Sequence, residues 1–144
     1  MNTLITCLLF VIFPMTLLLV SANTEQGYKV KGAFLCGTTQ ARNVQVKLIE
    51  DDFGQDTDDV LDECLTDQNG SFELKGKTKE RTKIDPQLKI YHDCNDGIKP
   101  CQRRWKFELP LNYVSKDGED RAVLDIGTWN LELIMPGETR DCSH

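Results

Sequence analysis

The chain has 144 residues, 28% of them charged, with 17 Lys and Arg against 23 Asp and Glu for a net charge of −6. That acidity argues against nucleic acid as the main partner, because a polyphosphate backbone is held by basic surfaces. The length suits one domain with a core of ordinary size.

Residues 1–22, MNTLITCLLFVIFPMTLLLVSA, carry no charged side chain and are apolar from Leu4 to Val20 save for Thr6, Pro14 and Thr16. Pro14 and the short length oppose a stable membrane span. Val20 and Ala22 place small residues at the −3 and −1 subsites of a signal peptidase, so the segment is expected to be a signal peptide cleaved after Ala22. Nothing later approaches the roughly 20 apolar residues of a transmembrane helix. The expectation is a secreted, extracellular protein whose single domain spans residues 23–144.

Period-two alternation dominates that domain. In YKVKGAFLC, Tyr28, Val30, Phe34 and Cys36 share one face and Lys29 and Lys31 the other. In NVQVKL, Val44, Val46 and Leu48 face inward, and Gln45 and Lys47 outward. ECLT and SFEL flank DQNG, which reads as a hairpin turn with Asn69 and Gly70 at positive φ. QLKIYHDC places Leu88, Ile90, His92 and Cys94 together, and RWKFEL does the same for Trp105, Phe107 and Leu109. Between Asp125 and Leu133 the apolar phase switches across Gly127, as a bulge requires. Pro86, Pro100, Pro110 and Pro136 fall between strands, where a missing N–H costs no ladder bond. No segment has a helical period. Seven or eight strands at these spacings predict an all-β, two-sheet sandwich.

Charge along the chain is segregated. Glu50 to Glu63 holds eight carboxylates and no basic side chain, whereas KGKTKERTK, residues 75–83, holds five basic side chains against Glu80. Without Cys7, which leaves with the signal segment, five cysteines remain: Cys36, Cys64, Cys94, Cys101 and Cys142. His92-x-Cys94, Cys101 and Cys142-x-His144 suggest a zinc site. The six residues between Cys94 and Cys101 exceed the two to four that usually separate paired zinc ligands. An oxidising route of export favours disulfides, so no metal is assigned.

VKGAFLCG, NVQVKLIEDD, TDQNGSFELKG, IDPQLKIYHDCNDGIKPCQRRW, DIGTWNLEL and RDC together resemble the nematode transthyretin-like family across essentially the whole exported chain. The KIYHDCND and CQRRW blocks are the most specific of these. The resemblance implies a transthyretin-like (prealbumin-type) sandwich with disulfide cysteines at Cys36, Cys94, Cys101 and Cys142. In such an arrangement these four cluster at one end, and the pairing it suggests is Cys36–Cys101 with Cys94–Cys142. Roles suggested for the family are carriage of small apolar ligands and adaptor work at cell surfaces. Cys64 departs from the family pattern and inherits no role.

Candidate chemistry is sparse. The related hydroxyisourate hydrolases use histidines, an arginine and a C-terminal Tyr-Arg-Gly-Ser/Thr motif. This chain ends RDCSH and has only His92 and His144. With no positioned second base or activated nucleophile, general acid–base hydrolysis has no machinery. The protein therefore reads as a non-enzyme without a cofactor. An EF-hand loop needs acids at positions 1, 3 and 5. Begun at Asp52 the acidic run puts Gly54 third, and begun at Asp56 it puts Val60 fifth.

In an extended chain Lys75, Lys77, Lys79, Arg81 and Lys83 form one ridge suited to anionic lipid headgroups or sulfated glycans. The same lysines also protect a strand edge from unwanted pairing. Asn69-Gly70-Ser71 is a sequon that makes Asn69 a candidate glycan acceptor. In LDECLT, Leu61 and Leu65 mark the apolar phase, which puts Cys64 on the polar, exposed face. An odd exposed thiol is a candidate for a homodimeric link between chains. The leading functional expectation is an extracellular protein that carries or recognises a small apolar or lipidic ligand. The alternative is an adaptor or host-directed effector that contacts an extracellular receptor.

Overall fold

The computed structural model describes residues 22–51 and 58–144. The expected signal peptide, apart from Ala22, and the middle of the acidic run lie outside the described residues. The strands are β1 (Thr24–Cys36), β2 (Thr39–Gln40), β3 (Gln45–Glu50), β4 (Asp59–Leu65), β5 (Ser71–Glu80), β6 (Pro86–His92) and β7 (Gln102–Glu108). A 3₁₀ turn (Leu111–Tyr113) then leads to β8 (Ser115–Lys116), β9 (Leu124–Asn130) and β10 (Thr139–Asp141). Seven long strands and three short ones thus make the expected sandwich. Pro86 opens β6 rather than preceding it, and its carbonyl accepts the Leu109 N–H at 2.9 Å.

One sheet is built around β1, which pairs with β5 and then β2 along one edge and with β8 and β9 along the other. The other sheet runs β10–β7–β6–β3–β4, with every pair antiparallel. β9 lies parallel to β1, and its register shifts between Lys31 and Ala33, where Gly127 takes φ 74°. That is the bulge the apolar phase requires. Alternate residues of both sheets meet in the middle: Val30, Phe34, Phe72 and Leu74 from one, and Val46, Leu48, Leu88, Ile90 and Trp105 from the other. The Phe34 and Phe72 rings stack at 5.3 Å. Tyr28 is buried to its hydroxyl, which donates to the Pro110 carbonyl at 2.9 Å.

The DQNG turn does not close a hairpin. β4 belongs to one sheet and β5 to the other, so the turn carries the chain across the sandwich. Its local chemistry is still that of a tight turn, with the Gly70 N–H on the Asp67 carbonyl and the Asp67 carboxylate taking the Asn69 and Ser71 N–H groups. Only Gly70 has positive φ, at 73°, and a Cβ there would lie 2.3 Å from the Phe34 carbonyl oxygen. Glycine is required on both counts.

Where β4 meets β5, side chains replace the missing ladder. Asp62 accepts the Lys75 N–H at 2.8 Å. Further along, the Thr66 hydroxyl accepts the Val44 N–H and donates to the Ala41 carbonyl. A carboxylate of the facing sheet thus takes a backbone donor from the outer edge of β5.

Candidate interaction surface

The end of the sandwich that holds KIYHDCND and CQRRW is its most heavily fastened part. β6 ends at His92, a loop follows, and β7 starts at Gln102. The loop turns through positive φ at Asn95, Gly97 and Cys101. Disulfides join Cys36 to Cys94 and Cys101 to Cys142, so the expected pairing is corrected. The four cysteines do share one end. However, β1 delivers Cys36 to the end of β6, while the C-terminal tail pairs with β7 beside Cys101.

Arg103 is the hub of this end. Its guanidinium, 6% exposed, bonds the carbonyls of Cys94, Leu131 and Leu133 and forks onto Glu138 at 2.7 and 2.8 Å. The Trp105 indole N–H donates to the same carboxylate at 2.7 Å. Arg103's hydrogen bonds hold the Glu138 carboxyl below its usual range against the opposing effect of burial. Arg140 forks onto Asp96 in the same manner and lowers its pKa. These ion pairs are thus scaffold. They fix two loops whose tips hold Ile98, Leu133 and Ile134 out in water, at 103%, 51% and 84% exposure. Asn95 ties one loop to Glu132 of the other.

His92 and His144 lie on opposite faces of one sheet. His92 is on the inner face, 2% exposed, accepting the Cys94 N–H at Nδ1 and meeting Trp105 edge to face. Burial, with the Arg103 charge behind it, pushes its pKa down to about 4. His144 stacks on Tyr91, the outward neighbour of His92, at 4.3 Å. The two rings therefore lie on opposite sides of the sheet and do not share a site.

The basic run is split. Lys75, Lys77 and Lys79 stand in line on the outer face of β5, with Lys29 of β1 directly opposite Lys75. Arg81 and Lys83 lie past the strand's last residue, Glu80, so the expected five-member ridge is a three-member one. Carboxylates interleave with it: Glu25 is 2.9 Å from Lys77, Asp120 is 2.5 Å from Lys29, and Asp125 is 3.8 Å from Lys31.

Cys64 is also not where the alternation predicts. The β3–β4 register slips between Leu48 and Ile49, so that Val46 faces Cys64 and Leu48 faces Asp62. Cys64 therefore sits on the inner side, half-buried against the core, and Leu65 points out at 59% exposure. Burial pushes the thiol's pKa up. Asn69 is exposed at the tip of its turn. Among the described residues, carboxylate oxygens of Glu50, Asp59 and Glu80 lie within 4.8 Å of one another, and nothing else there points to a cation.

The sequence did not single out a second basic face, on the outside of the β10–β7–β6–β3–β4 sheet. Lys47, Lys89, Lys106 and Arg104 each read as an outward residue of its own strand. Only the cross-strand register brings them together.

Residues 31–110 match the model of the transthyretin-like family. Transthyretin-like protein 33 of Caenorhabditis elegans is 47% identical over 119 residues, covering 83% of each chain. Transthyretin-like protein 5 of the same organism is 46% identical, covering 83% of this chain and 86% of its own. Transthyretin-like protein 46 is 45% identical, covering 92% and 75%. A 9R-lipoxygenase crystal structure from Cyanothece aligns with 73% of this chain and only 16% of its own at a TM-score of 0.44 and 20% identity, too slight a likeness to bear on function. The matched segment, the relatives and the two-sheet architecture agree: the chain belongs to the transthyretin-like family.

Proposed function

We propose that the protein is a secreted, non-enzymatic binding protein that recognises an extracellular partner through its outer surface. The observation that supports this reading is the filled space between the sheets. Trp105, Tyr28, Phe34, Leu48, Leu88 and Ile90 are each below 2% exposed and occupy the room an apolar ligand would need. A concavity of about 670 Å³ is an open groove in which Lys31, Asp67, Glu73 and Asp125 stand beside Leu65 and Phe72. A carrier of small apolar molecules uses a largely apolar pocket that encloses most of the ligand. The rigid end that exposes Ile98 and Ile134 offers what a protein partner covers instead, apolar side chains held in place before binding.

Binding of fluorescently labelled protein to intact cells tests the reading. Saturable binding that protease treatment of the cells removes, and that Ile98→Ser with Ile134→Ser weakens at least tenfold, supports it. Undiminished binding by the double variant contradicts the proposed surface.

A second reading is peripheral contact with anionic lipid or sulfated glycan through Lys75, Lys77 and Lys79. It is supported by their alignment on one exposed face. Changing Lys75, Lys77 and Lys79 to Ser then weakens binding to anionic liposomes or heparin, as does added salt. Equal binding by the triple variant removes this reading.

A further inference from the structure

The register of the β4–β3–β6–β7 sheet sets lysines side by side on its outer face. Lys47 lies opposite Lys89, and Lys89 opposite Lys106, with Arg104 one row away opposite Tyr91. Like charges directly opposite each other destabilise a sheet, and lysine is rarely buried unless paired. Yet the Lys47 and Lys89 side chains are only 15% and 13% exposed.

Each of the four cations is offset by a carboxylate from the margin of the face. Glu63 lies 3.5 Å from Lys47, Asp51 lies 3.4 Å from Lys106, Asp141 lies 3.0 Å from Arg104, and Asp58 holds Lys89. An ammonium has three donors, and one carboxylate does not use them up. Lys47 and Lys89 also line a concavity of about 390 Å³ on this face, within the size range of small-molecule sites. Tyr91, with the His144 ring stacked on it, forms one side, and Ile49 and Val60 supply apolar surface.

We propose that this concavity binds a small ligand bearing a phosphate or sulfate monoester, held by Lys47 and Lys89, with Asp58 acting as an internal competitor for Lys89. A tetrahedral oxyanion accepts hydrogen bonds from both ammonium groups, while the Tyr91–His144 stack and the apolar wall take the ester's organic part. The lysines are recessed, which favours a small ligand over a flat bilayer or an extended polysaccharide. Asp58 and Asp141 both line the concavity and oppose an incoming anion, which keeps the site weak; Asp141 is drawn off by Arg104, and Asp58, on Lys89, is the one a ligand displaces. The inference is independent of the partner reading above, since it concerns a different face.

Amide-resolved NMR titration of the disulfide-intact protein tests it, with inorganic phosphate, inorganic sulfate and glycerol 3-phosphate as probes. Glycerol 3-phosphate is expected to shift Lys47, Lys89, Tyr91 and His144 with a Kd on the order of 1 mM. Comparing sulfate with phosphate assigns the ester. Asp58→Asn is expected to tighten binding about tenfold by removing one nearby negative charge. Adding Lys89→Gln to Asp58→Asn removes both members of the pair, leaves no orphaned charge, and is expected to abolish binding in a folded protein. No shifts in either the wild type or Asp58→Asn overturn the proposal, as does undiminished binding by the double variant. Binding to phosphatidic acid vesicles without binding of any soluble probe also overturns it and moves the contact to a membrane.

Discussion

Arg103 and Glu138 meet as a two-pronged pair, Nε to Oε1 at 2.7 Å and Nη2 to Oε2 at 2.8 Å, beneath the fastened end of the sandwich. The same guanidinium ties three backbone carbonyls from two loops, so the pair organises the end rather than decorating it. Removing one partner of a buried pair strands the other charge, at a cost of about 3–5 kcal/mol. Glu138→Gln is expected to lower stability in urea denaturation by that order. Arg103→Lys is expected to fall as far, because an ammonium cannot reproduce the planar fork. A loss below about 1 kcal/mol in both variants, the value of an exposed pair, shows that the end is held by the disulfides alone.

His92 gives the fold an acid-sensitive element. Burial, with the nearby Arg103 charge, pushes its pKa down to about 4 in the fold, against about 6.5 for a free imidazole. Between those values the unfolded chain binds the extra proton, so stability falls as pH drops from about 6.5 toward 4. Full neutral burial contributes about 3 kcal/mol above that window. Glu138 and Asp96 also lose stability on acidification, because their depressed pKa values are lost on unfolding. Comparing the wild type with His92→Gln across pH 7 to 4 isolates the histidine, since both proteins keep those carboxylates. The expected result is a shallower acid slope in the variant. Parallel slopes contradict a neutral buried imidazole.

Peptide mapping without reduction is expected to recover Cys36 linked to Cys94 and Cys101 linked to Cys142. Each link is worth roughly 2–4 kcal/mol through restriction of the unfolded chain. Cys64 is expected to be recovered as a free thiol that alkylates slowly at neutral pH, because burial raises its pKa. A disulfide-linked dimer on a non-reducing gel that Cys64→Ser removes shows instead that the sulfur reaches the surface and joins two chains.

Gly76 sits where β5 passes β4. A Cβ there would lie 2.6 Å from both the Cβ and the carbonyl oxygen of Leu61, so the two sheets must part to admit it. Gly76→Ala is expected to destabilise by about 1–3 kcal/mol, the cost of overpacking, despite alanine's lower backbone entropy cost. A neutral or stabilising result contradicts the close passage of β4 over β5.

Much of this fold is legible in alternation alone, since Val30, Phe34, Val46, Leu48, Leu88, Ile90 and Trp105 all face inward as read. The departures share one physical cause, which is pairing between distant segments. DQNG has the chemistry of a tight turn, but nothing local says whether the flanking strands pair with each other. The slip opposite Leu48 reverses the phase of β4, and inward Asp62 takes the Lys75 N–H of β5, which only the assembled sandwich brings near. Disulfide connectivity cannot be deduced from cysteine positions. Lys47, Lys89 and Lys106 are each unremarkable in their strands, and the sheet register alone makes them neighbours. The scaffold role of Arg103 was likewise hidden, because its partner Glu138 is 35 residues away.

Native mass spectrometry of the protein purified from its natural source, after removal of any N-glycan, tests most directly whether recognition is by the surface. A filled core predicts one species at the mass of the polypeptide alone with two disulfides and no copurified apolar molecule. A stoichiometric lipid or other apolar ligand that survives transfer and is released on unfolding would contradict it and return the protein to the class of internal carriers.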